Sequence, residues 1–259
     1  FGYLLNFNLN EVRILFFLTL SVFIIFLISS IFMFFLLIKF YTTPVKKIEN
    51  FQNIKGSLVD FFLIDFSNFI RSWGIIFISS IFLENYYVGT FSSILWLAST
   101  LLLTPIIINS IFIPYFVIYS ETKKYFDLIK IYKLSKRYIL IINLPILFIF
   151  MFFDSFLLQK LFNITNINLE LCFNIIVLAM YIRFLLGPIN ALFVNINKEA
   201  IVRNLTILFS LMEFLLIILM ASYFGILGVA ISLLIVELLR IITYYFYYVH
   251  FLKGLKISQ

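Results

Sequence analysis

Charged side chains interrupt the long apolar runs of this chain, and they are the residues whose types point most directly to chemistry. Asp65 and Arg71 stand in one run, Arg183 in a second and Glu213 in a third. An ionised group in an apolar environment is costly unless it is paired, hydrogen-bonded or hydrated. Each of the four is therefore predicted to face a protein interior or a water-filled cavity, where it can bind a polar or charged ligand.

The spacing of polar residues around Arg71 predicts a polar helix face. Asp65, Asn68 and Ser72 recur at i, i+3 and i+7, which places them on one side of a helix. Arg71 lies beside that side, and its six-position separation from Asp65 is a poor spacing for an ion pair within one helix. Arg71 is therefore expected to find a partner on another helix or an anionic ligand. In the alternative interpretation, Asn68 and Ser72 only hydrogen-bond between packed helices.

Two further sets of polar residues fall inside apolar runs. Arg183, Gly187 and Asn190 form a stripe at helical spacing. Glu237 and Arg240 stand at i and i+3, which is a spacing for ion pairs within a helix. The first set is a candidate cavity wall, and the second is predicted to be a structural pair.

Residue types that build metal centres and catalytic dyads are scarce in the sequence. The chain has one cysteine, Cys172, and one histidine, His250. This composition excludes an internal disulfide framework and a metal site rich in His or Cys. The sequence also contains no recognisable phosphate-binding glycine loop and no nucleophile beside a base. We therefore predict that the protein is not an enzyme and needs no metal or cofactor.

Composition places the chain among membrane proteins. Hydrophobic residues make up 64% of it and charged residues 12%, whereas a soluble globular domain has about 45–50% and about 25%. A soluble domain could not cover so much apolar surface with so little charge. The net charge of +7 does not indicate nucleic-acid binding, because the basic residues fall in short gaps between the apolar runs.

The apolar runs are continuous and long enough to be membrane-spanning helices, which need about 20 residues each. Continuity argues against the alternating pattern of a transmembrane barrel, so the predicted fold class is an all-α polytopic membrane protein. Seven spans are predicted at about 14–41, 57–82, 87–119, 137–153, 169–195, 201–223 and 225–248.

Lys and Arg concentrate in alternate gaps between these runs. The gaps 42–56 and 120–136, the gap around Asn197 and the C-terminal tail are basic, whereas the gaps between them hold little Lys or Arg. Cytoplasmic loops of membrane proteins carry this excess, so the basic gaps and the C-terminus are predicted to be cytoplasmic. Residue 1 is then predicted to lie outside, with an odd number of further spans before it.

Three stretches of sequence resemble a known transporter family. Residues 71–91 (RSWGIIFISSIFLENYYVGTF) resemble the helix–turn–helix of O-antigen and polysaccharide flippases in the multidrug/oligosaccharidyl-lipid/polysaccharide exporter superfamily. Residues 111–116 (IFIPYF) and the basic stretch to Arg137 resemble the family's next helix and amphipathic loop. Residues 223–234 (YFGILGVAISLL) resemble its entry to a late helix. The chain departs from the family at residues 72–74, where many relatives carry an Asp.

The resemblance implies an architecture of two six-helix lobes around a central cavity. By that analogy, residues 1–56 are the last helix of a truncated N-terminal lobe plus a cytoplasmic linker. Residues 57–259 are the C-terminal six-helix lobe with a cytoplasmic tail. The implied location is the bacterial cytoplasmic (inner) membrane, and the implied partners are membrane lipids, a lipid-linked oligosaccharide and the missing N-terminal lobe.

The resemblance also implies a function in surface polysaccharide biosynthesis, such as that of O-antigen and lipopolysaccharide. The protein would move an undecaprenyl-pyrophosphate-linked oligosaccharide across the membrane by alternating access. Residues expected to line its cavity are Arg71, Asp65, Asn68, Arg183 and Glu213, and Arg71 is expected to bind the pyrophosphate.

Two other functions fit the same sequence. A cation-coupled drug or small-molecule antiporter of the superfamily would use Asp65 or Glu213 as its essential carboxylate. A membrane polysaccharide polymerase or glycosyltransferase would need a large outer loop, and the largest predicted outer gap, 154–168, is short.

Overall fold

A computed structural model describes the backbone of residues 51–257 and the side chains of residues 59–253. The predicted span 14–41 and nearly all of the predicted segment 1–56 lie outside these residues. The described backbone forms helices and no strand, which confirms the all-α fold class. Its helices are α1 (Phe51–Phe82), α2 (Asn85–Ser99), α3 (Leu103–Glu121), α4 (Tyr125–Phe152), α5 (Asp154–Phe162), α6 (Ile167–Arg183), α7 (Ile189–Asn195) and α8 (Glu199–Ile257).

Several helical segments are long and apolar enough to cross a membrane. Four qualify by length and composition, and α5 with α6, bent by 110°, makes a fifth if the pair counts as one broken span. Helices α2 and α3, joined by a 3₁₀ turn, together form one of the four. These segments confirm a polytopic membrane protein. The four are Val59–Phe82, Asn85–Glu121, Tyr125–Phe152 and Glu199–Lys253.

Helix α8 is a hairpin of two helices. Gly225 has φ 57° and ψ −135°, which takes the backbone out of helical geometry. The left-handed region suits glycine because it has no Cβ. The two halves, α8a (199–224) and α8b (226–257), run antiparallel, and the Ser232 hydroxyl donates to the Leu216 carbonyl at 3.1 Å. Each half exceeds the roughly 20 residues that a crossing needs, and the halves match the predicted spans 201–223 and 225–248.

The predicted fourth span, 137–153, was too short at its start. Helix α4 begins at Tyr125, so most of the basic stretch is helical rather than a loop. Leu128 and Tyr132 on this stretch are buried, whereas Lys130 is exposed. This first part of α4 is amphipathic and is stabilised by burying one apolar stripe, and its charged residues interrupt the continuous apolar run from which a span is predicted.

The predicted fifth span, 169–195, is interrupted. Helix α6 ends at Arg183, Gly187 adopts φ 62°, and Pro188 precedes the short helix α7. Proline has no N–H for a helical hydrogen bond, and glycine tolerates the left-handed turn. Arg183, Gly187 and Asn190 therefore surround a turn and do not form one helical stripe.

The gaps rich in Lys and Arg gather at one end of the bundle, which we call the basic end. The Ser120 hydroxyl donates to the Asn195 carbonyl, which joins the end of α3 to the end of α7. The Lys198 ammonium lies 5.7 Å from the ring centroid of Phe251, which brings the C-terminal part of α8b to the same end. The gaps 122–124 and 196–198 are therefore neighbours. This agrees with the prediction that gaps rich in Lys and Arg lie on the same side.

The opposite end, which we call the Gly225 end, collects the gaps with little Lys or Arg. A Cβ built on Gly225 would lie 3.9 Å from Leu83, so the hairpin turn is next to the end of α1. The Cys172 thiol lies 3.9 Å from the Ile226 carbonyl, which places the start of α6 nearby. The predicted alternation of gaps between two ends agrees with these contacts, whereas the side of the membrane that each end faces stays a prediction.

Candidate functional site

An ion-pair cluster joins three membrane-spanning segments midway between the two ends. Arg71 of α1 donates through Nε to Glu213 on α8a and through Nη2 to Glu237 on α8b. One guanidinium therefore connects both halves of the hairpin to α1. The fork of an arginine is suited to two carboxylates, since it presents five N–H donors in a fixed plane.

Glu237 is the centre of this cluster. Besides Arg71, its carboxylate lies 2.9 Å from Nη2 of Arg240 and 3.6 Å from Nε of Arg183. Nη2 of Arg240 also lies 3.4 Å from the carbonyl oxygen of Arg183, at the end of α6. The sequence prediction that Glu237 pairs with Arg240 is confirmed, but the pair is part of a larger network that also includes α6.

The cluster is deeply buried and carries an excess of positive charge. Arg71 is 7% exposed, Glu213 1% and Glu237 3%. Its side chains are three arginines and two glutamates, so one positive charge has no matching carboxylate within the cluster. Removing one partner of a buried ion pair typically costs roughly 3–5 kcal/mol because a buried charge is left uncompensated. The network therefore holds the helices together and also leaves a positive electrostatic potential around the cluster.

The hairpin explains why Glu213 and Glu237 meet. Both stand the same number of positions from Gly225, one on each side. An antiparallel pair of helices that turns at Gly225 brings equidistant positions to the same depth. Apolar clusters flank the charges along the helices, with Ile217 and Val229 towards the Gly225 end and Phe209 and Tyr244 towards the basic end.

A cavity of about 620 Å³ lies on the Gly225 side of the cluster, and we call it the outer cavity. Arg71, Arg183, Glu213 and Glu237 line it at one end. The Oε1 atom of Glu213 has no hydrogen-bond partner among the described residues. The other lining residues include both tryptophans and several hydroxyl groups: Ser72, Trp73, Ser92, Ser93, Trp96 and Ser99.

A second cavity of about 230 Å³ lies on the basic side of the cluster, and we call it the inner cavity. Arg71 and Arg183 line both cavities, and Arg240 lines the inner one alone. The lining of the inner cavity contains no Asp or Glu among the described residues. Its polar side chains are supplied by α1, α3, α7 and α8: Asn68, Asn109, Asn190, Thr206 and Tyr244.

The structure brings together three of the five predicted site residues. Arg71, Arg183 and Glu213 belong to the cluster, and Arg71 has the interhelical partners that its position in α1 required. Asn68 is half-buried and lines the inner cavity. Asp65 is exposed on α1 and lines neither cavity. The use of these residues in binding stays a prediction.

Sequence reasoning missed Glu237 and Arg240 as members of the site, and it missed Trp73 and Trp96. The sequence did contain a signal for Glu237 and Arg240, because charged residues inside a membrane span are usually functional. Their close spacing favoured the simpler interpretation of an isolated pair. Trp73 and Trp96 are 64% and 69% exposed, and tryptophans in apolar helices are commonly surface residues. Nothing in their spacing predicted that they line one cavity.

Fold and site together define an all-α polytopic membrane protein with a buried ion-pair cluster between two cavities. Several of its helices are apolar enough to cross a membrane, which makes it a membrane protein. Neither a family model nor a curated protein nor a solved structure matches the chain.

Proposed function

We propose that the protein is a flippase that moves a lipid-linked oligosaccharide of the undecaprenyl-pyrophosphate type across the bacterial cytoplasmic membrane, for surface polysaccharide biosynthesis. The observation that carries this proposal is the outer cavity, because it combines a charged end with aromatic and hydroxyl-bearing walls. Such a substrate presents three kinds of group in one molecule: a phosphate, sugar hydroxyls and a hydrocarbon tail.

The walls of the outer cavity suit sugar rings. Trp73 and Trp96 offer flat apolar faces. Ser92, Ser93 and Ser99 offer hydroxyl oxygens that can accept hydrogen bonds, since each hydroxyl already donates to a backbone carbonyl of its own helix. The free Oε1 of Glu213 is a charged acceptor for a sugar hydroxyl. Pockets that bind small molecules are generally apolar with a few polar groups that fix orientation, and this cavity has that character.

The charged end of the outer cavity suits a phosphate. Arg71 is held by two carboxylates, whereas Arg183 makes one ion-pair contact with the described residues, at 3.6 Å, and its side chain is 23% exposed. Arg183 is therefore the freer guanidinium, and arginine recognises phosphate oxygens through paired N–H groups. We propose that Arg183 contacts the pyrophosphate directly, with Arg71 behind it holding the cluster in place.

The structure weakens the motivation for the antiporter alternative. An antiporter would need a carboxylate that is free to bind and release a cation. Glu213 is paired with Arg71, and Asp65 lies outside both cavities. An oligosaccharide flippase does not need a free carboxylate, so it is the function that the cluster supports better.

The test is flipping of a fluorescent undecaprenyl-pyrophosphate oligosaccharide by the natural full-length protein in proteoliposomes. Trp96→Ala removes one wall of the outer cavity and is expected to slow flipping at least tenfold. Phe152→Ala is the matched control, because Phe152 is 76% exposed and lines neither cavity. Absence of flipping by the wild-type protein, or equal slowing by both variants, would contradict the proposal.

A further inference from the structure

The inner cavity has an unusual balance of charge. Three arginines line it, and the described lining has no carboxylate, since Glu213 and Glu237 face the outer cavity only. The cluster as a whole carries one positive charge more than its carboxylates neutralise. On the basic side of the cluster in α1, Asp60 is paired with Arg203, and Asp65 lines neither cavity.

Several guanidinium N–H groups that line the inner cavity also have no hydrogen-bond acceptor among the described residues. Arg183 donates no hydrogen bond to any described residue, and its side chain is 23% exposed. Arg240 is 16% exposed and contacts Glu237 and the Arg183 carbonyl through Nη2. Each guanidinium has five N–H groups, so several donors on Arg183 and Arg240 are left for a ligand. Asn190 and Thr206 add neutral polar groups to the same wall.

We propose that the inner cavity is an anion-binding site that takes a phosphate-class oxyanion. A tetrahedral oxyanion accepts hydrogen bonds on every side, and it would neutralise the unmatched positive charge of the cluster. The site lies on the other side of the cluster from the outer cavity, with which it shares Arg71 and Arg183. It does not depend on the protein being a flippase.

Size limits the ligand to a small group. The cavity volume is about 230 Å³, and a water molecule in the liquid occupies about 30 Å³. A phosphate with a few waters fits this space, whereas an oligosaccharide does not. The ligand is therefore either free inorganic phosphate or the phosphate of a lipid headgroup that reaches the cavity from the basic end.

Equilibrium dialysis tests the site directly. The natural full-length protein, purified in a detergent without phosphate, is dialysed against radiolabelled inorganic phosphate with chloride present to fix the ionic strength. Saturable binding is expected. No saturable binding, or displacement of phosphate by an equal concentration of chloride, would overturn the proposal.

An isosteric variant locates the site. Asn190→Asp places a carboxylate in the wall of the inner cavity without removing an ion pair, and Asn190 is exposed enough that folding should survive. Phosphate binding is expected to weaken at least tenfold. Asn168→Asp is the matched control, because Asn168 is exposed at the Gly225 end and lines neither cavity. Wild-type affinity in Asn190→Asp, or an equal loss in Asn168→Asp, would refute the site.

Organic extraction separates the two sources of phosphate. Phosphorus that co-purifies with wild-type protein and moves to the organic phase comes from a lipid headgroup, whereas phosphorus in the aqueous phase is free phosphate. In either case the retained amount is expected to fall in Asn190→Asp and to stay unchanged in Asn168→Asp. Retained phosphorus that is equal in all three proteins would contradict binding in this cavity.

Discussion

Arg71 ties one helix to both halves of the α8 hairpin, and Glu237 gathers three arginines around one carboxylate. The two glutamates therefore differ in how much charge they neutralise, although both are almost fully buried. Among the described residues, Glu213 pairs with Arg71 alone, whereas Glu237 also contacts Arg183 and Arg240. A difference in the number of partners should appear as a difference in stability.

Glu237→Gln is predicted to destabilise the protein more than Glu213→Gln. Loss of the Glu237 charge leaves Arg183 and Arg240 without an ion-pair partner among the described residues, and a buried pair that loses one partner typically costs about 3–5 kcal/mol. Thermal unfolding in detergent measures both variants. Equal shifts in melting temperature would show that the contacts of Glu237 with Arg183 and Arg240 add nothing to stability.

Arg71→Ala is predicted to lower membrane abundance, because it leaves Glu213 without a cation in the described part of the chain. Arg71→Lys should fall between wild type and Arg71→Ala, since one ammonium keeps the charge but lacks the planar fork that reaches two carboxylates. Arg71→Ala with Glu213→Gln removes the unpaired charge and should recover part of the abundance. Export that stays absent in the recovered double variant would assign Arg71 a binding role. Export that returns would make it a structural tie only.

At the scale of the element, the α8 hairpin positions the site. Its turn at Gly225 sets Glu213 and Glu237 at equal depth, and its two halves approach closely beside that turn. A Cβ added to Gly228 would overlap the Met220 carbonyl on the other half. Small residues allow backbones to approach in this way in membrane bundles.

Gly228→Ala is therefore predicted to push the halves of the hairpin apart and to lower the melting temperature. Gly89→Ala is the matched control, because Gly89 lies within α2 and a Cβ there meets nothing within 4 Å. That change should be neutral or stabilising by up to about 1 kcal/mol, since alanine is the better helix former. A melting temperature of Gly228→Ala that is no lower than that of Gly89→Ala would contradict the close approach.

At the scale of the whole molecule, the two ends of the bundle differ in charge. The basic end and the Gly225 end should face opposite sides of the membrane, with the basic end in the cytoplasm. Cysteine labelling in intact cells checks this, in a Cys172→Ala background that removes the chain's own thiol. Lys124→Cys should label only after the membrane is permeabilised, and Thr165→Cys should label from outside.

Thr165 is a better position for the outer cysteine than Asn163, two residues before it. Asn163 has φ 55°, a conformation that cysteine tolerates poorly. Labelling of both cysteines from the same side would contradict the predicted topology. Labelling of Lys124→Cys alone from outside would reverse the predicted orientation and leave the number of crossings unchanged.

The sequence by itself determined the class of protein and the depth of the key charges. Apolar runs longer than about 20 residues with little charge cannot be anything but buried or lipid-facing helices. Arg71 stands near the middle of such a run, so its side chain had to turn inward. The partnership of Glu237 with Arg240 also followed from the sequence, because i and i+3 meet on one helix whatever the rest of the fold does.

Only the tertiary structure decided what Arg71 meets. Periodicity gives the face of a helix on which a residue lies, but which helix covers that face depends on packing between segments far apart in sequence. Arg71 and Glu237 are 166 positions apart, and no local rule relates them. The same holds for Trp73 and Trp96, which stand on α1 and α2 and line one cavity. The break after Arg183, which opens the inner cavity between α6 and α7, arises from a left-handed glycine followed by a proline inside an apolar run.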